Sequence, residues 1–306
     1  MTKHFRTLLD LSEAKLAALL DRADALAAAR GTPAHPRPLD GKTVVILLEK
    51  ASTRTRVSFE VGVYELGGHP LTLISEHTQL GRGEPLSDTA RMFSGYAHAV
   101  VYRTFGHDRI EALAEHATIP VINGLSDTYH PCQLLADMQT VRGCFGKLEG
   151  ITAAWIGDGN NMAHSWIYAA ARSGMKLRLA CPEGYDPEAR IVEEARGLGA
   201  EVTVVRDPVE AVEGAHVVTT DVWASMGQEA ENAIRQAAFA GFCVDEALME
   251  RAAPDGIFLH CLPAHRGEEV SAGVIDGPRS RVWKQAENRL HAQKALLVQL
   301  VGNAPD

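Results

Sequence analysis

Apolar residues along the chain fall into short runs separated by stretches with helical spacing. From about Ser12 to Arg30, Leu and Ala recur on a helical period, and Gly31 with Pro33, Pro36 and Pro38 ends that helix. The run Thr43-Val44-Val45-Ile46-Leu47-Leu48 follows, then a helix-like stretch from about Thr55 to Leu66 closed by Gly67-Gly68, then a strand-like run Leu71-Thr72-Leu73-Ile74. This β-α-β rhythm continues through Ala99–Tyr102 and Pro120–Ile122. It resumes at Ile151–Ile156, Lys176–Leu179, Glu201–Val205, His216–Thr219 and Gly256–Leu259. Short apolar strands alternating with helices predict parallel sheets covered on both faces. Between the two series lies one helix, about Pro131 to Arg142, followed by Gly143, Gly146 and Gly150. The pattern predicts an α/β chain of two doubly wound parallel-sheet domains joined by interdomain helices. The expected domains are residues 1–145 and 146–283, with a C-terminal helix at 284–306 packing back on the first.

Length agrees with that division, because 306 residues exceed the usual size of one domain. The formal net charge of -9 argues against general nucleic-acid binding, which needs a surplus of Lys and Arg on one face. Any anion site must therefore be a local pocket. Five cysteines (Cys132, Cys144, Cys181, Cys243 and Cys261) are widely spaced and include no C-x-x-C pair, so neither a disulfide framework nor a zinc site is suggested. No apolar run is long enough to span a bilayer, and the N-terminus carries no uninterrupted apolar signal region. A soluble, cytoplasmic protein is the expectation.

In doubly wound sheets, ligands sit beyond the carboxyl ends of the strands. Five of the loops there are chemically unusual. Ser52-Thr53-Arg54-Thr55-Arg56 follows the first strand and opens a helix, so hydroxyls, guanidinium groups and free helix amides together suit phosphate. An ordinary cap with solvated arginines is the bland alternative. His130-Pro131-Cys132-Gln133 sets Pro131 at the first position of a helix and so pins His130 at its mouth. A neutral imidazole there can stabilise a carbonyl oxygen gaining negative charge; a mere capping histidine is the other reading.

Gly157-Asp158-Gly159-Asn160-Asn161 resembles the opening of a dinucleotide fingerprint, but its third glycine position is Met162, which disfavours nicotinamide binding and leaves a tight strand-to-helix turn as the alternative. Asp221-Val222-Trp223-Ala224-Ser225-Met226-Gly227 sets an acidic group beside a small, flexible stretch, which suits a loop that captures a cationic ligand, although Trp223 and Met226 also read as packing residues. His260-Cys261-Leu262-Pro263 ends in a Leu-Pro bond that calls for an extended or turn conformation, with Cys261 readable as a buried apolar residue.

Each motif alone is weak to moderate. All five together, in this order and each at a strand end, resemble the signature set of the ornithine carbamoyltransferases, and the resemblance runs from Ser52 to Glu287-Asn288-Arg289. It implies that Ser52, Thr53, Arg54 and Thr55 hold the phosphate of carbamoyl phosphate, while Arg103, His130 and Gln133, with Pro131 and Cys132 between them, surround its carbamoyl end. Arg289 matches a further carbamoyl phosphate ligand. Gln79 resembles the loop that reaches a neighbouring subunit's phosphate site, which implies a homotrimer. Asn161, Asp221, Ser225 and Met226 match the positions that hold the amino-acid end of L-ornithine, and Cys261 and Leu262 those that meet the reacting amine and carbamoyl group.

The implied reaction is acyl transfer without a covalent enzyme intermediate: the δ-amine attacks the carbonyl carbon, a tetrahedral oxyanion forms and phosphate departs, giving citrulline. Arg54, Arg103 and His130 are the implied charge stabilisers, with Asp221 and Cys261 orienting the amine. No metal or organic cofactor is implied. The nearest rivals are carbamoyltransferases that use aspartate, putrescine or acetylornithine. Cys261 and Ser225-Met226-Gly227, all intact, favour ornithine over them. A two-domain nicotinamide oxidoreductase and a non-enzymatic phosphate-binding protein are the readings from other classes.

Overall fold

A computed structural model describes residues 4–224 and 232–302. The chain divides into two compact units, one formed by Met1–Gln139 with Asn288–Asp306 and the other by Thr140–Glu287.

The first unit is built on a four-stranded, wholly parallel sheet of β1 (Thr43–Leu48), β2 (His69–Ile74), β3 (Ala99–Arg103) and β4 (Val121–Leu125), in the order β2-β1-β3-β4. Central β1 and β3 are buried almost throughout, as continuous apolar runs in a sheet covered on both faces should be. β2 is an edge strand and begins two residues before its apolar run, because an edge tolerates Pro70, which pairs in register with Val44. The other edge is extended by Phe5, whose N–H donates to the Val121 carbonyl at 2.9 Å and whose carbonyl accepts from Asn123 at 2.8 Å.

Helices α1 (Glu13–Ala29), α2 (Thr53–Glu65), α3 (Leu86–Tyr96) and α4 (His107–His116) belong to this unit. α1 is capped by Ser12 and buries Leu16, Leu19, Leu20, Ala23 and Leu26, one stripe at spacings of three and four. α2 starts at Thr53, two residues earlier than its apolar pattern, because the Ser52 side chain caps it. At Gly62 of α2 an added Cβ would stand 3.2 Å from the stem of Lys294, so glycine lets the C-terminal helix approach closely.

Helix α5 (Pro131–Phe145) carries the chain into the second unit, where the division falls after Gln139. Here β5 (Thr152–Ile156), β6 (Lys176–Ala180), β7 (Val202–Val205), β8 (Val217–Thr220) and β9 (Ile257–His260) form a parallel sheet in the order β7-β6-β5-β8-β9. Its helices are α6 (Asn161–Ser173), α7 (Ala189–Gly197), α8 (Pro208–Val212), α9 (Asn232–Ala238), α10 (Glu246–Met249) and α11 (Ala272–Ile275). Trp223, Phe239, Phe242, Phe258 and Val244 pack into one apolar cluster of this unit. Helix α12 (Val282–Val301) returns the chain to the first unit after Glu287. Among the described residues no helix is long and apolar enough to cross a membrane.

The two doubly wound sheets are those the periodicity predicts. Because each is parallel, the carboxyl ends of its strands gather their loops along one edge. In the first unit these carry Ser52, Arg103 and His130; in the second, Asp158–Asn161, Asp221 and Cys261.

Candidate active site

On the first unit the site is assembled around the start of two helices. Ser52 is the N-cap of α2, and its hydroxyl accepts the Thr55 N–H at 3.3 Å. The amides of the first turn are thereby oriented outward at the positive end of the helix, next to the exposed Thr53 and Arg54. Arg103, the last residue of β3, is 7% exposed, and Arg289 of α12 is 4% exposed. Arg289 donates from Nη1 to the Gln133 side-chain oxygen at 2.6 Å and from Nη2 to the Thr55 hydroxyl at 3.3 Å. Residues far apart in sequence thus share one buried guanidinium.

His130 stands immediately before α5, with Pro131 as the first helical residue. Burial drives its pKa well below the ordinary histidine value, and the charges of Arg289, Arg103 and Arg54 push it down further. The imidazole is therefore neutral at pH 7. Its Nε2 lies 3.4 Å from Nη1 of Arg289. Because a guanidinium only donates, that contact favours a lone pair on Nε2 and the proton on Nδ1. Gln133 is fixed on its other side by donating to Asp137 at 2.8 Å.

Cys132 is fully buried, its thiol donates to the Asn123 carbonyl at 3.3 Å, and burial pushes its pKa up to about 12. That side chain faces β4 as a neutral thiol, so only the backbone of Cys132 remains for ligand contact. Gln79 is exposed, at the start of a short 3-10 turn over Leu80–Arg82.

One support of this half carries no sequence signal. Glu49, just past β1, receives Arg109 at 2.5 and 3.1 Å, accepts from the Thr104 hydroxyl, and donates its own N–H to the Arg103 carbonyl at 2.9 Å. The end of β3 that presents Arg103 is held this way.

On the second unit, Asn160 caps α6 by accepting the Met162 and Ala163 N–H groups at 2.9 and 3.2 Å. Its amide donates to Oδ2 of Asp221 at 3.3 Å. An added Cβ at Gly159 would stand 2.1 Å from the Pro187 nitrogen, so the close turn demands glycine there. Met162 lies in the core at 2% exposure and completes no pyrophosphate turn. Asn161 begins α6, half-buried, beside this turn. Asp221 follows β8; its Oδ1 accepts the Val222 N–H at 2.8 Å and the Cys261 thiol at 3.1 Å. Two motifs forty residues apart are therefore joined through the side chains of Asp221 and Cys261. Arg235 of α9, also without a sequence signal, donates to Asp158 at 2.8 Å and to the Trp223 carbonyl at 2.9 Å. Ser225 and Met226 lie outside the described residues.

The Leu262-Pro263 bond is cis, and Leu262 has φ 61°, the only non-glycine residue with positive φ among those described. The extended alternative expected before proline gives way to a turn. A left-handed leucine costs on the order of 1–3 kcal/mol and persists only where its surroundings impose it. Ligand atoms of Asp221, His260 and Cys261 lie within 4.8 Å of one another. Each is engaged: the thiol by Asp221, and the two ring nitrogens by Leu262 and Glu269. A cation held by all three would have to displace these bonds.

Comparison with known proteins bears on both units. The family model for the carbamoyl-P binding domain of aspartate/ornithine carbamoyltransferase matches residues 3–143, and that for the Asp/Orn binding domain matches residues 149–300. An ornithine carbamoyltransferase of Halorhodospira halophila is 57% identical over 295 residues, covering 96% of this chain and 97% of its own length. One of Pelobacter propionicus is 53% identical over 303 residues, 99% of each chain. The solved ornithine carbamoyltransferase of Pyrococcus furiosus superimposes with a TM-score of 0.94 at 46% identity, covering 99% of this chain and 98% of its own.

Proposed function

The chain belongs to the ornithine carbamoyltransferases, a family of carbamoyl-transferring enzymes, and from that premise we propose how its residues divide the work of moving the carbamoyl group of carbamoyl phosphate to the δ-amine of L-ornithine. The observation that carries the choice of acceptor is the thiol of Cys261 donating to Asp221 at 3.1 Å. It sets a carboxylate and a thiol side by side, where an amine can be received and turned.

On the donor side, Ser52, Thr53, Arg54 and Thr55 with the first amides of α2 take the phosphate, and Arg103 and Arg289 balance its charge. Gln133 and neutral His130 face the carbamoyl group, with His130 supplying an N–H where the oxyanion develops. On the acceptor side, Asn161 and Asp221, with Ser225 and Met226, hold the α-amino and α-carboxylate groups. Cys261 orients the attacking nitrogen, and Leu262 follows it as a backbone contact. The neutral amine adds to the carbonyl carbon, the tetrahedral oxyanion collapses, and phosphate leaves with the electron pair of the broken C–O bond, taking up the proton that the nitrogen gives up. Carbamoyl phosphate is already an activated mixed anhydride, so positioning and charge stabilisation suffice and no cofactor enters.

The assembly in this reading is a homotrimer in which Gln79 reaches a neighbouring subunit's phosphate site. It is supported by the exposure of Gln79 beside the short turn over Leu80–Arg82. Five free cysteines support a reducing, cytoplasmic setting.

The test is citrulline formation by purified protein given carbamoyl phosphate and, in parallel, ornithine, acetylornithine, putrescine or aspartate. Activity with ornithine alone is expected, and activity only with another acceptor overturns the acceptor-side assignment. For the assembly, an inactive Gln79→Ala protein mixed with an inactive Arg54→Ala protein regains activity if sites are shared between subunits and stays inactive if they are not.

A further inference from the structure

Hydrogen bonds around His260 leave its ring a single tautomer. The Leu262 N–H donates to Nδ1 at 2.9 Å, so Nδ1 carries the lone pair. The proton is then on Nε2, which faces Oε1 of Glu269 at 3.2 Å. Both side chains are buried, at 1% and 0% exposure. The same Oε1 accepts the His265 N–H at 2.6 Å, so one carboxylate oxygen ties the end of β9 to the far side of the turn that follows it. Gln285 of α12 accepts the His260 N–H at 3.0 Å and fixes the strand end from behind. The second oxygen of Glu269 lies 3.8 Å from Nδ1 of His265 and has no hydrogen bond among the described residues.

Burying a carboxylate this deeply with only a histidine ring and one amide to satisfy it is unfavourable unless the group has a task. The turn after β9 supplies one. Leu262 sits at φ 61°, a conformation its side chain disfavours, and its N–H bond to His260 holds it there. Cys261 precedes it directly and meets Asp221. In the other tautomer Nδ1–H would confront the Leu262 N–H, donor against donor, and the turn would lose that bond.

We propose that Glu269 is a positioning residue for the transfer step, acting through His260 on the backbone of Leu262 and thereby on the placement of the Cys261 thiol. The proposal rests on the reading of Cys261 as the residue that orients the amine. Second-sphere carboxylates that set a histidine tautomer act in the same manner elsewhere.

Four variants and a reference test it: Glu269→Ala, Glu269→Gln, His260→Asn and His260→Leu, with Cys261→Ala as the reference. Misplacing a group by about 1 Å can lower the rate about a hundredfold, so Glu269→Ala is expected to lose about tenfold to a hundredfold in kcat while KM for carbamoyl phosphate stays within about twofold. Glu269→Gln, whose amide oxygen can accept both N–H bonds, recovers most of the loss. His260→Asn, which brings an amide oxygen close to the former Nδ1, keeps more activity than His260→Leu. The independent readout is the rate at which iodoacetamide alkylates Cys261 in the folded protein, followed by peptide mass spectrometry with the exposed Cys144 as internal standard. That rate is expected to change severalfold in Glu269→Ala and to return in Glu269→Gln. Unchanged alkylation with unchanged kcat per folded enzyme in Glu269→Ala overturns the proposal, as does a loss fully explained by a smaller folded fraction. If Cys261→Ala itself keeps full kcat, the reading of Cys261 fails, and alkylation still decides whether Glu269 places the thiol.

Discussion

Arg289 donates to Gln133 at 2.6 Å although 156 residues separate them in sequence. Its second terminal nitrogen reaches Thr55 at 3.3 Å, and the first lies 3.4 Å from His130. A planar fork satisfies acceptors in different directions at once, which a flexible ammonium on a single point cannot do. The C-terminal helix thus supplies a guanidinium to the residues that the proposed reading assigns to carbamoyl phosphate.

Arg289→Lys therefore keeps the charge but not the fork. Removing one such donor costs about 3 kcal/mol at the transition state, roughly a hundredfold in rate. We expect kcat/KM for carbamoyl phosphate to fall by about that factor, measured by initial rates over varied carbamoyl phosphate at saturating ornithine. A lysine variant within about threefold of the parent would show that charge alone matters here.

Arg54 separates function from fold. It is exposed in the first turn of α2 and pairs with no residue through its side chain in any hydrogen bond or ion pair among the described residues. Exposed substitutions of this kind shift stability by about 0.5 kcal/mol or less. Arg54→Ala should leave the thermal midpoint almost unmoved and the turnover nearly abolished. Circular dichroism melting beside the citrulline assay checks both, and near-parental turnover would remove Arg54 from the phosphate site.

The elements legible in sequence are those that periodicity controls. Among the described residues apolar runs mark all nine strands, and the caps Ser12 and Ser52 stand where α1 and α2 begin. Ends were less legible for physical reasons: β2 takes in Pro70 because it is an edge, and β4 continues through Asn123 and Gly124, which no hydrophobic pattern announces. Apart from Gln79 and Arg289, the residues that touch ligand in the proposed reading cluster in motifs at strand ends, where residue type and position make them legible. Those that hold them are not. Glu49, Asp137, Arg235 and Glu269 are single charged residues, and only the folded chain shows that they face Arg109, Gln133, Asp158 and His260. Leu262 shows the same limit, because a preceding-proline rule cannot anticipate a left-handed backbone imposed by a neighbouring ring.

Cys261 and Asp221 form a pair whose coupling can be measured. Groups in direct contact show interaction energies of about 0.5–3 kcal/mol in a double-mutant cycle. Cys261→Ala and Asp221→Ala should each lower kcat/KM for ornithine strongly, and the double variant should lose much less than the product of the two. Cys261→Ser, which keeps a donor toward Asp221, should fall between the parent and Cys261→Ala. Strict additivity in the cycle would mean that the 3.1 Å contact has no part in catalysis.

His130 makes a prediction about pH in which the sign is decided by burial. Its folded-state pKa lies well below the ordinary value of 6.5, because burial and then the positive charges of Arg289, Arg103 and Arg54 oppose protonation. In the unfolded chain the ring takes up a proton as pH falls through about 6.5. Below that point the unfolded state binds one more proton than the folded state, so stability declines with falling pH, by at most about 1.4 kcal/mol per pH unit from this residue, and is unaffected by it above about pH 7.5. His4 and His35 are also depressed, chiefly by burial, and add in the same direction. The contribution of His130 is isolated by comparing the parent with His130→Asn in urea denaturation at pH 5, 6, 7 and 8. The difference in stability between the two proteins should shift in favour of the variant as pH falls from 7 to 5 and stay constant from 7.5 to 8. Parallel curves over the whole range would place a protonated imidazole in the folded site, and with it a different donor for the oxyanion.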